Sequence, residues 1–247
     1  VDVSIVVPAY NERENLPGLL DDLERFVLTA PVGVEVLVVD DGSTDGTAEL
    51  VRRETERRPW LSLVAGPTNR GMGAALKLGV SRARHPLVAW VMADRSDRLA
   101  DIWEMRRRLI DGADLVVASR AIHGASYGEL GGGKALGSRA FSLFARWLLR
   151  LPVHDSTNAF RAFRRSLLDE ITLSHNDFAI SPELVIKATM HGRRVEETPT
   201  VYAFRRRGSS TFSVFRMGLT YLHLALRAWL ARLAGGRAAP PTARRGT

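Results

Sequence analysis

The 247-residue sequence contains no cysteine. That absence excludes disulfide scaffolds, thiolate zinc sites, iron–sulfur clusters and cysteine nucleophiles, and it accords with a reducing cytoplasm. No uncharged apolar run approaches the about 18 residues that a membrane-spanning helix requires, and Val3–Val7 is too short for a signal-peptide core. As it stands, the sequence reads as neither membrane-spanning nor exported. Acids are missing from the C-terminal region: none follows Glu197, whereas Arg205, Arg206, Arg207, Arg216, Arg227, Arg232, Arg237, Arg244 and Arg245 all do. These arginines exceed the net charge of +8, so residues 1–197 form a near-neutral body ahead of a basic segment. Such a segment suits an anionic surface, lipid headgroups or nucleic acid, although solubilising charge on a helix and tail would look the same. Nucleic acid ranks last, because the aromatic residues there follow helical spacing and offer no exposed stacking platform.

With 45% apolar residues the chain can bury a large core, which excludes disorder for most of its length. Strand-like and helix-like stretches alternate along the first half. Val3–Val7, Val34–Val39, Leu61–Ala65, Leu87–Met92 and Ala113–Ala118 read as buried strands. Between them, helices are predicted over Glu12–Val27, Thr47–Glu56 with Ser43, Thr44 and Asp45 as its N-cap region, Met72–Arg84 and Leu99–Ile110. This alternation predicts an α/β fold whose parallel sheet is covered on both faces, with ligands beyond the carboxyl ends of the strands.

The second half differs. Gly124–Gly133 reads as a mobile glycine-rich loop. Lys134–Arg150 and Phe212–Leu233 are broadly apolar helices edged with arginine: Arg139, Ser142, Arg146 and Arg150 share a stripe on the first, Arg216, Thr220, His223 and Arg227 on the second. A helix lying in a membrane interface is built this way, and so is one packed on the body or against a second copy of the chain. Residues 235–247 read as a disordered basic tail.

Chemistry is expected where strands end. Pro8-Ala9-Tyr10-Asn11-Glu12 follows the first strand and Asp40-Asp41-Gly42-Ser43-Thr44-Asp45 the second, and carboxylates there suit sugar hydroxyls or a base N–H. Asn69-Arg70-Gly71-Met72-Gly73-Ala74-Ala75 lacks the third glycine of a dinucleotide fingerprint and is not in the first βα unit, but its glycines allow close backbone approach to a ligand. Met92-Ala93-Asp94-Arg95-Ser96-Asp97 ends the fourth strand, and its two carboxylates can converge on one hard divalent cation. The six histidines have no ligand spacing and no triad partner, so zinc hydrolysis and serine triads are unsupported.

In order along residues 3–230, these segments resemble the inverting GT-A glycosyltransferases of family 2, in the dolichyl (polyprenyl) phosphate mannosyltransferase-like branch. Val3–Glu12 looks like the family opening, Val38–Thr47 like Val-Asp-Asp-Gly-Ser-x-Asp-x-Thr, and Asn69–Ala75 like Asn-x-Gly-x-Gly-x-Ala. Gly112–Arg120 resembles the end of the nucleotide-binding half, Asp155–Arg161 the Asp-x-Thr-Ser-Gly-Phe-Arg segment, and Arg205–Ser210 the Arg-x-x-Gly-x-Ser segment. Three departures stand out: Met92 replaces the usual first acid of Asp-x-Asp, Asn158-Ala159 replaces Ser-Gly, and Thr211 replaces a frequent lysine.

The resemblance implies a Rossmann-like, mostly parallel sheet flanked by helices, with C-terminal amphipathic helices. Residues 1–234 would form one domain: a nucleotide-sugar-binding half (1–120), an acceptor half (121–211) and an interface helix (212–234). It implies that Pro8, Ala9, Tyr10, Glu12, Val39, Asp41, Gly73, Ala93 and Ser210 line the nucleotide-sugar site, with Asp41 near the base. Asp94 would hold Mg²⁺ or Mn²⁺, helped by Ser96 or Asp97, and Arg120 and Arg205 would face the diphosphate or acceptor phosphate. Asp155 could act as base for a hydroxyl acceptor or hold arginines in place. The implied activity is transfer of a hexose from GDP-mannose or a UDP-sugar to a polyprenyl phosphate, by a peripheral protein on the cytoplasmic membrane face, with a homodimer as a further option. Alternatives are a soluble transferase acting on a small-molecule hydroxyl and a non-catalytic nucleotide-sugar-binding protein.

Overall fold

The computed structural model describes residues 1–128, 132–202 and 214–234. Five predicted strands form: β1 (Val3–Ala9), β2 (Val34–Asp40), β3 (Leu61–Ala65), β4 (Leu87–Trp90) and β5 (Leu115–Ser119). The helices between them are α1 (Leu16–Leu28), α2 (Thr47–Thr55), α3 (Met72–Arg82) and α4 (Asp101–Ile110). After β5 come α5 (Gly132–Leu149), β6 (Arg161–Arg164), α6 (Leu167–Glu170), α7 (Ile180–Met190), β7 (Val195–Pro199) and α8 (Val214–Ala234). Among the described residues the sheet has seven strands in the order β3-β2-β1-β4-β6-β5-β7. Its neighbours pair in parallel except β6, which is antiparallel to both β4 and β5.

β1, β4 and β5 are buried along their whole length because helices cover both faces of the sheet. Val6, Leu37, Val39, Trp90, Val117 and Phe163 point to the side of α3, α5 and α7. Ile5, Val7, Val36, Val38, Ala89 and Val116 point to the side of α1 and α4. The two cores share one set of strands, as the period-2 alternation of side chains requires.

Several expectations shift. α1 starts at Leu16 rather than Glu12, because the backbone of residues 11–13 is drawn to the β2–α2 loop; Pro17 then fits in the first turn. The N-cap position of α2 is Gly46 (φ 88°), not Ser43, Thr44 or Asp45, although Asp45 still accepts the Thr47 N–H at 3.0 Å. The glycine-rich stretch expected to be mobile is tied down up to Gly128: Ser126 N–H donates to the Thr200 carbonyl and Tyr202 N–H to that of Ser126, each at 3.0 Å. Residues 235–247, expected as a disordered tail, lie outside the described residues.

The polar stripe on α5 is split: Arg139 and Arg150 are exposed, whereas Ser142 turns into the body. Ser142 is buried, its Oγ receiving the Ser156 N–H at 3.2 Å, and Ala145 and Leu149 pack on the body beside it. Leu136, Leu143 and Trp147 point outward instead, Trp147 with 76% exposure. α8 packs on α5, where the Phe141 and Tyr221 rings are 4.9 Å apart and Arg232 Nη1 donates to the Leu149 carbonyl at 2.7 Å. Its Leu219, Leu222, Leu226, Leu230 and Leu233 are exposed. Each helix is thus half packed on the body and half an uncovered apolar row.

Candidate active site

At the carboxyl ends of β1 and β2 two loops are laced together by backbone donors. Asn11, in a left-handed conformation (φ 55°), donates its N–H to Ser43 Oγ and accepts the Thr44 N–H, both at 2.9 Å. Glu12 N–H reaches Thr47 Oγ1 at 3.0 Å, and Arg13 N–H reaches Asp45 Oδ2 at 3.1 Å. Burial raises the Asp45 carboxyl, but hydrogen bonds from the Thr47 hydroxyl and from the Arg13 and Thr47 N–H groups win and hold it below its ordinary range. Pro8, Ala9 and Val39 are buried strand residues that form the floor, whereas Tyr10 is 40% exposed at the rim.

Asp41 fastens the next loop. Its carboxylate accepts the Arg70 N–H at 3.0 Å and the Gly71 N–H at 2.7 Å. Asp40 beside it is buried; its Oδ2 accepts the Ser43 N–H at 3.3 Å, and its Oδ1 has no hydrogen-bond partner among the described residues. Asp40 belongs to the strand-end acids named from sequence, although the resemblance assigned the nucleotide-sugar site to Asp41 beside it.

The Gly-x-Gly segment admits the chain's own backbone. Gly73 N–H donates to the Asn176 carbonyl at 2.7 Å, and a Cβ on Gly73 would lie 2.7 Å from the His175 carbonyl oxygen. The first turn of α3 is therefore closed by segment 175–176, which itself is held by Glu183: the Ser174 and His175 N–H groups donate to its carboxylate at 2.9 and 3.0 Å.

The β4–α4 loop carries the acids. Asp94 Oδ1 accepts the Ser96 N–H at 3.1 Å, and Asp97 Oδ2 accepts the Met92 N–H at 2.8 Å. Protein atoms crowd the Asp97 carboxyl although an edge of the residue reaches solvent. That burial, with the Asp94 charge added, pushes it up to about 8 against the Met92 N–H. Tyr202, at the end of β7, reaches the same loop. Burial, then the Asp94 charge, raises its phenol above the ordinary range, opposed by a hydrogen bond with Ser96. Ala93 and Ser96 are buried. Met92 thus leaves its side-chain place to a methionine while its backbone secures Asp97.

The end of β5 is built from side-chain ions. Arg120 is 8% exposed and Asp155 is fully buried; Nε lies 2.7 Å from Oδ2, and Nη2 is 3.0 Å from Oδ1. Nη2 also reaches Thr157 Oγ1 at 3.0 Å. Burial raises Asp155, but the Arg120 charge overrides it and keeps the carboxyl below its ordinary range. With Thr157 and Asn158 N–H also donating to Oδ1, Asp155 is engaged on both oxygens. That geometry matches the arginine-holding role. Two guanidinium groups approach the Tyr127 ring, Arg120 at 5.0 Å and Arg139 at 4.4 Å from its centroid. Arg161, fully buried, donates to the carbonyls of Ser181 at 2.6 Å and Ala159 at 3.3 Å and to that of Asn158; burial pulls it down to about 9.

The strand ends thus bring Glu12, Asp41, Asp94, Ser96, Asp97 and Arg120 to one side of the sheet. Arg205 and Ser210 lie outside the described residues. Tyr127, Tyr202 and Arg161 were missed in sequence as site residues; of these only Arg161 carries a motif signal. Among the described residues no three His, Cys, Asp or Glu side chains cluster as metal ligands.

A mostly parallel seven-stranded sheet flanked by helices is the GT-A architecture, and solved glycosyltransferase structures share it. Glucosyl-3-phosphoglycerate synthase from Mycobacterium tuberculosis, in complex with Mn²⁺, uridine diphosphate and phosphoglyceric acid, superposes with a TM-score of 0.72 at 20% identity, covering 92% of this chain and 78% of that one. The chain belongs to glycosyl transferase family 2, whose model matches residues 4–172. Among curated relatives, polyprenol monophosphomannose synthase of Mycolicibacterium smegmatis is 31% identical over 216 residues, covering 85% of this chain and 80% of the relative. Dolichyl-phosphate hexose transferase of Haloferax volcanii is 29% identical over 217 residues, covering 88% and 89%.

Proposed function

We propose that this glycosyltransferase moves a hexose from a nucleoside diphosphate sugar to a polyprenyl phosphate at the surface of an anionic membrane, inverting the anomeric carbon. The observation that carries this reading is the union of an acid loop, an arginine cluster and uncovered apolar helices at one domain. A phosphate acceptor is already an anion at pH 7 and needs no general base. Asp155, engaged on both oxygens, offers none. What such an acceptor needs is relief from repulsion by the donor diphosphate, and guanidinium groups supply it. Arg120 and Arg139, which both approach the Tyr127 ring, would supply it, with Arg205 and Ser210 as the resemblance implies.

An acceptor phosphate oxygen attacks the anomeric carbon. The bond from that carbon to the diphosphate breaks, and its electron pair leaves on the β-phosphate oxygen. Asp94, with Ser96 and Asp97 near it, is an all-oxygen set of few protein ligands, which fits Mg²⁺ or Mn²⁺ completed by diphosphate oxygens and water. Bound there, the cation would supply charge neutralisation for the leaving diphosphate. The chain's part is to aim Asp94 through the Ser96 N–H and to hold Asp97 against the Met92 N–H.

Residues 132–150 and 214–234 contain no acid and include Lys134, Arg139, Arg146, Arg150, Arg216, Arg227 and Arg232. With apolar rows exposed on the same two helices, α5 and α8 suit a bilayer interface of anionic lipids. Among the described residues no helix is long and apolar enough to cross a membrane. Labelled GDP-mannose and UDP-glucose, each offered with polyprenyl phosphate in anionic vesicles or with water-soluble hydroxyl acceptors, test the reading. Transfer to the lipid phosphate is expected; turnover confined to soluble acceptors overturns it. Trp147→Ala should weaken vesicle binding several-fold while leaving stability within about 0.5 kcal/mol. Unchanged vesicle binding would remove α5 from the membrane contact.

A further inference from the structure

Arg95 stands between the two acids of the β4–α4 loop, and its backbone is left-handed, with φ 62°. A long side chain disfavours that conformation, which glycine adopts freely. A compensating contact is visible. The Arg95 guanidinium turns away from the loop to α1, where Nε donates to Asp22 Oδ2 at 2.8 Å and Nη2 lies 2.6 Å from the same oxygen. Asp22 is also engaged from its own helix by Arg25. The space that the guanidinium takes exists because residue 18, one turn earlier on α1, is glycine: a Cβ there would overlap it. Glycine inside a helix is a poor choice by propensity alone.

We infer that Gly18, Asp22 and Arg95 form a strut from α1 that fixes the backbone on the carboxyl side of Asp94 and so aims its carboxylate. Arg95 is then a positioning residue for the divalent cation and the diphosphate. The strut also gives a physical account of Met92. Where two acids flank a cation, the ion helps to set their geometry; with one acid replaced, more of the aim of Asp94 must be built into the protein beforehand. This inference rests on the reading of Asp94 as the cation ligand.

Mn²⁺ binding to the full-length protein, followed by electron paramagnetic resonance with GDP or UDP present, tests it. Wild type should bind and Asp94→Asn should not. The nearest atoms that the Gly18→Ala methyl would meet are those of the Arg95 guanidinium, and alanine improves helix propensity, so the melting temperature should hold or rise while Mn²⁺ affinity falls on the order of tenfold. Arg95→Ala should lose as much or more, and Arg95→Gly less than Arg95→Ala, since glycine accepts the left-handed backbone without the anchor. If wild type binds no Mn²⁺ with either nucleotide, or Asp94→Asn binds as well as wild type, the cation reading falls and the strut with it. If wild type binds, Asp94→Asn does not, and both Gly18→Ala and Arg95→Ala keep wild-type affinity, the strut alone is overturned.

Discussion

Two regions at the carboxyl ends of the strands hold their polar groups by different means. At the ends of β1 and β2, carboxylates and hydroxyls accept backbone N–H groups: Asp41 from Arg70 and Gly71, Asp45 from Arg13 and Thr47, Ser43 from Asn11. At the end of β5, guanidinium meets carboxylate or carbonyl in the buried Arg120–Asp155 pair and in Arg161. A backbone-laced loop keeps its shape when one side chain is shortened, because the remaining donors can turn to water. A buried ion pair that loses one member leaves a charge stranded. The β1–β2 side should therefore tolerate substitution better than the arginine side.

The largest expected effect probes that contrast directly. Asp155→Ala strands the Arg120 guanidinium and should cost about 3–5 kcal/mol in denaturant unfolding. The Asp155→Ala, Arg120→Ala double variant should cost less than the sum of the singles. If Asp155→Ala costs no more than Asp41→Ala, the two sides do not differ as described. Gly73→Ala comes next, since its Cβ would press on the His175 carbonyl and should cost about 2 kcal/mol with no ligand present. A loss seen only in nucleotide affinity would return Gly73 to ligand contact.

The smallest effect concerns pH. Burial raises the Glu183 carboxyl, but Lys187, the Ser174 hydroxyl and the N–H groups of Ser174 and His175 hold it below the ordinary range of a glutamate. A lowered folded pKa gives stability that is complete above about 4.5 and is lost as pH falls through the folded value. Glu183→Gln should cost about 1 kcal/mol at neutral pH. Its unfolding curve should converge with that of wild type in acid, and a constant gap across the acid limb would assign the loss to packing.

The five strands legible in sequence are apolar runs that end abruptly, at Pro8, Asp40, Ala65, Met92 and Ser119, which is also why the strand-end residues of the site could be picked out. β6 and β7 gave no such signal. Arg161–Arg164 begins and ends with arginine, and it can lie inside the sheet because the buried Arg161 finds carbonyl acceptors. Val195–Pro199 is an edge strand with two glutamates and a terminal proline. α7 is buried on nearly every side, so it shows no stripe to read, and Pro182 in its first turn looks like a breaker. Tyr127 and Tyr202 depend on where distant loops return, which local pattern does not encode. On α5 the apolar character was legible, but Ser142 reads as part of a surface stripe and is core, because Ser156 returns to it from a distant loop.

β6 lies between β4 and β5, yet it follows both in the chain. During synthesis its two neighbours emerge with an empty lane between them, and the sheet cannot be closed until residue 164 is available. Such a late central insertion joins contacts far apart in sequence and should make this step slow. Until then, β1, β2 and β3 can assemble while β4 and β5 expose unpaired backbone, so a ribosome stalled before β6 would present a half-built sheet to chaperones.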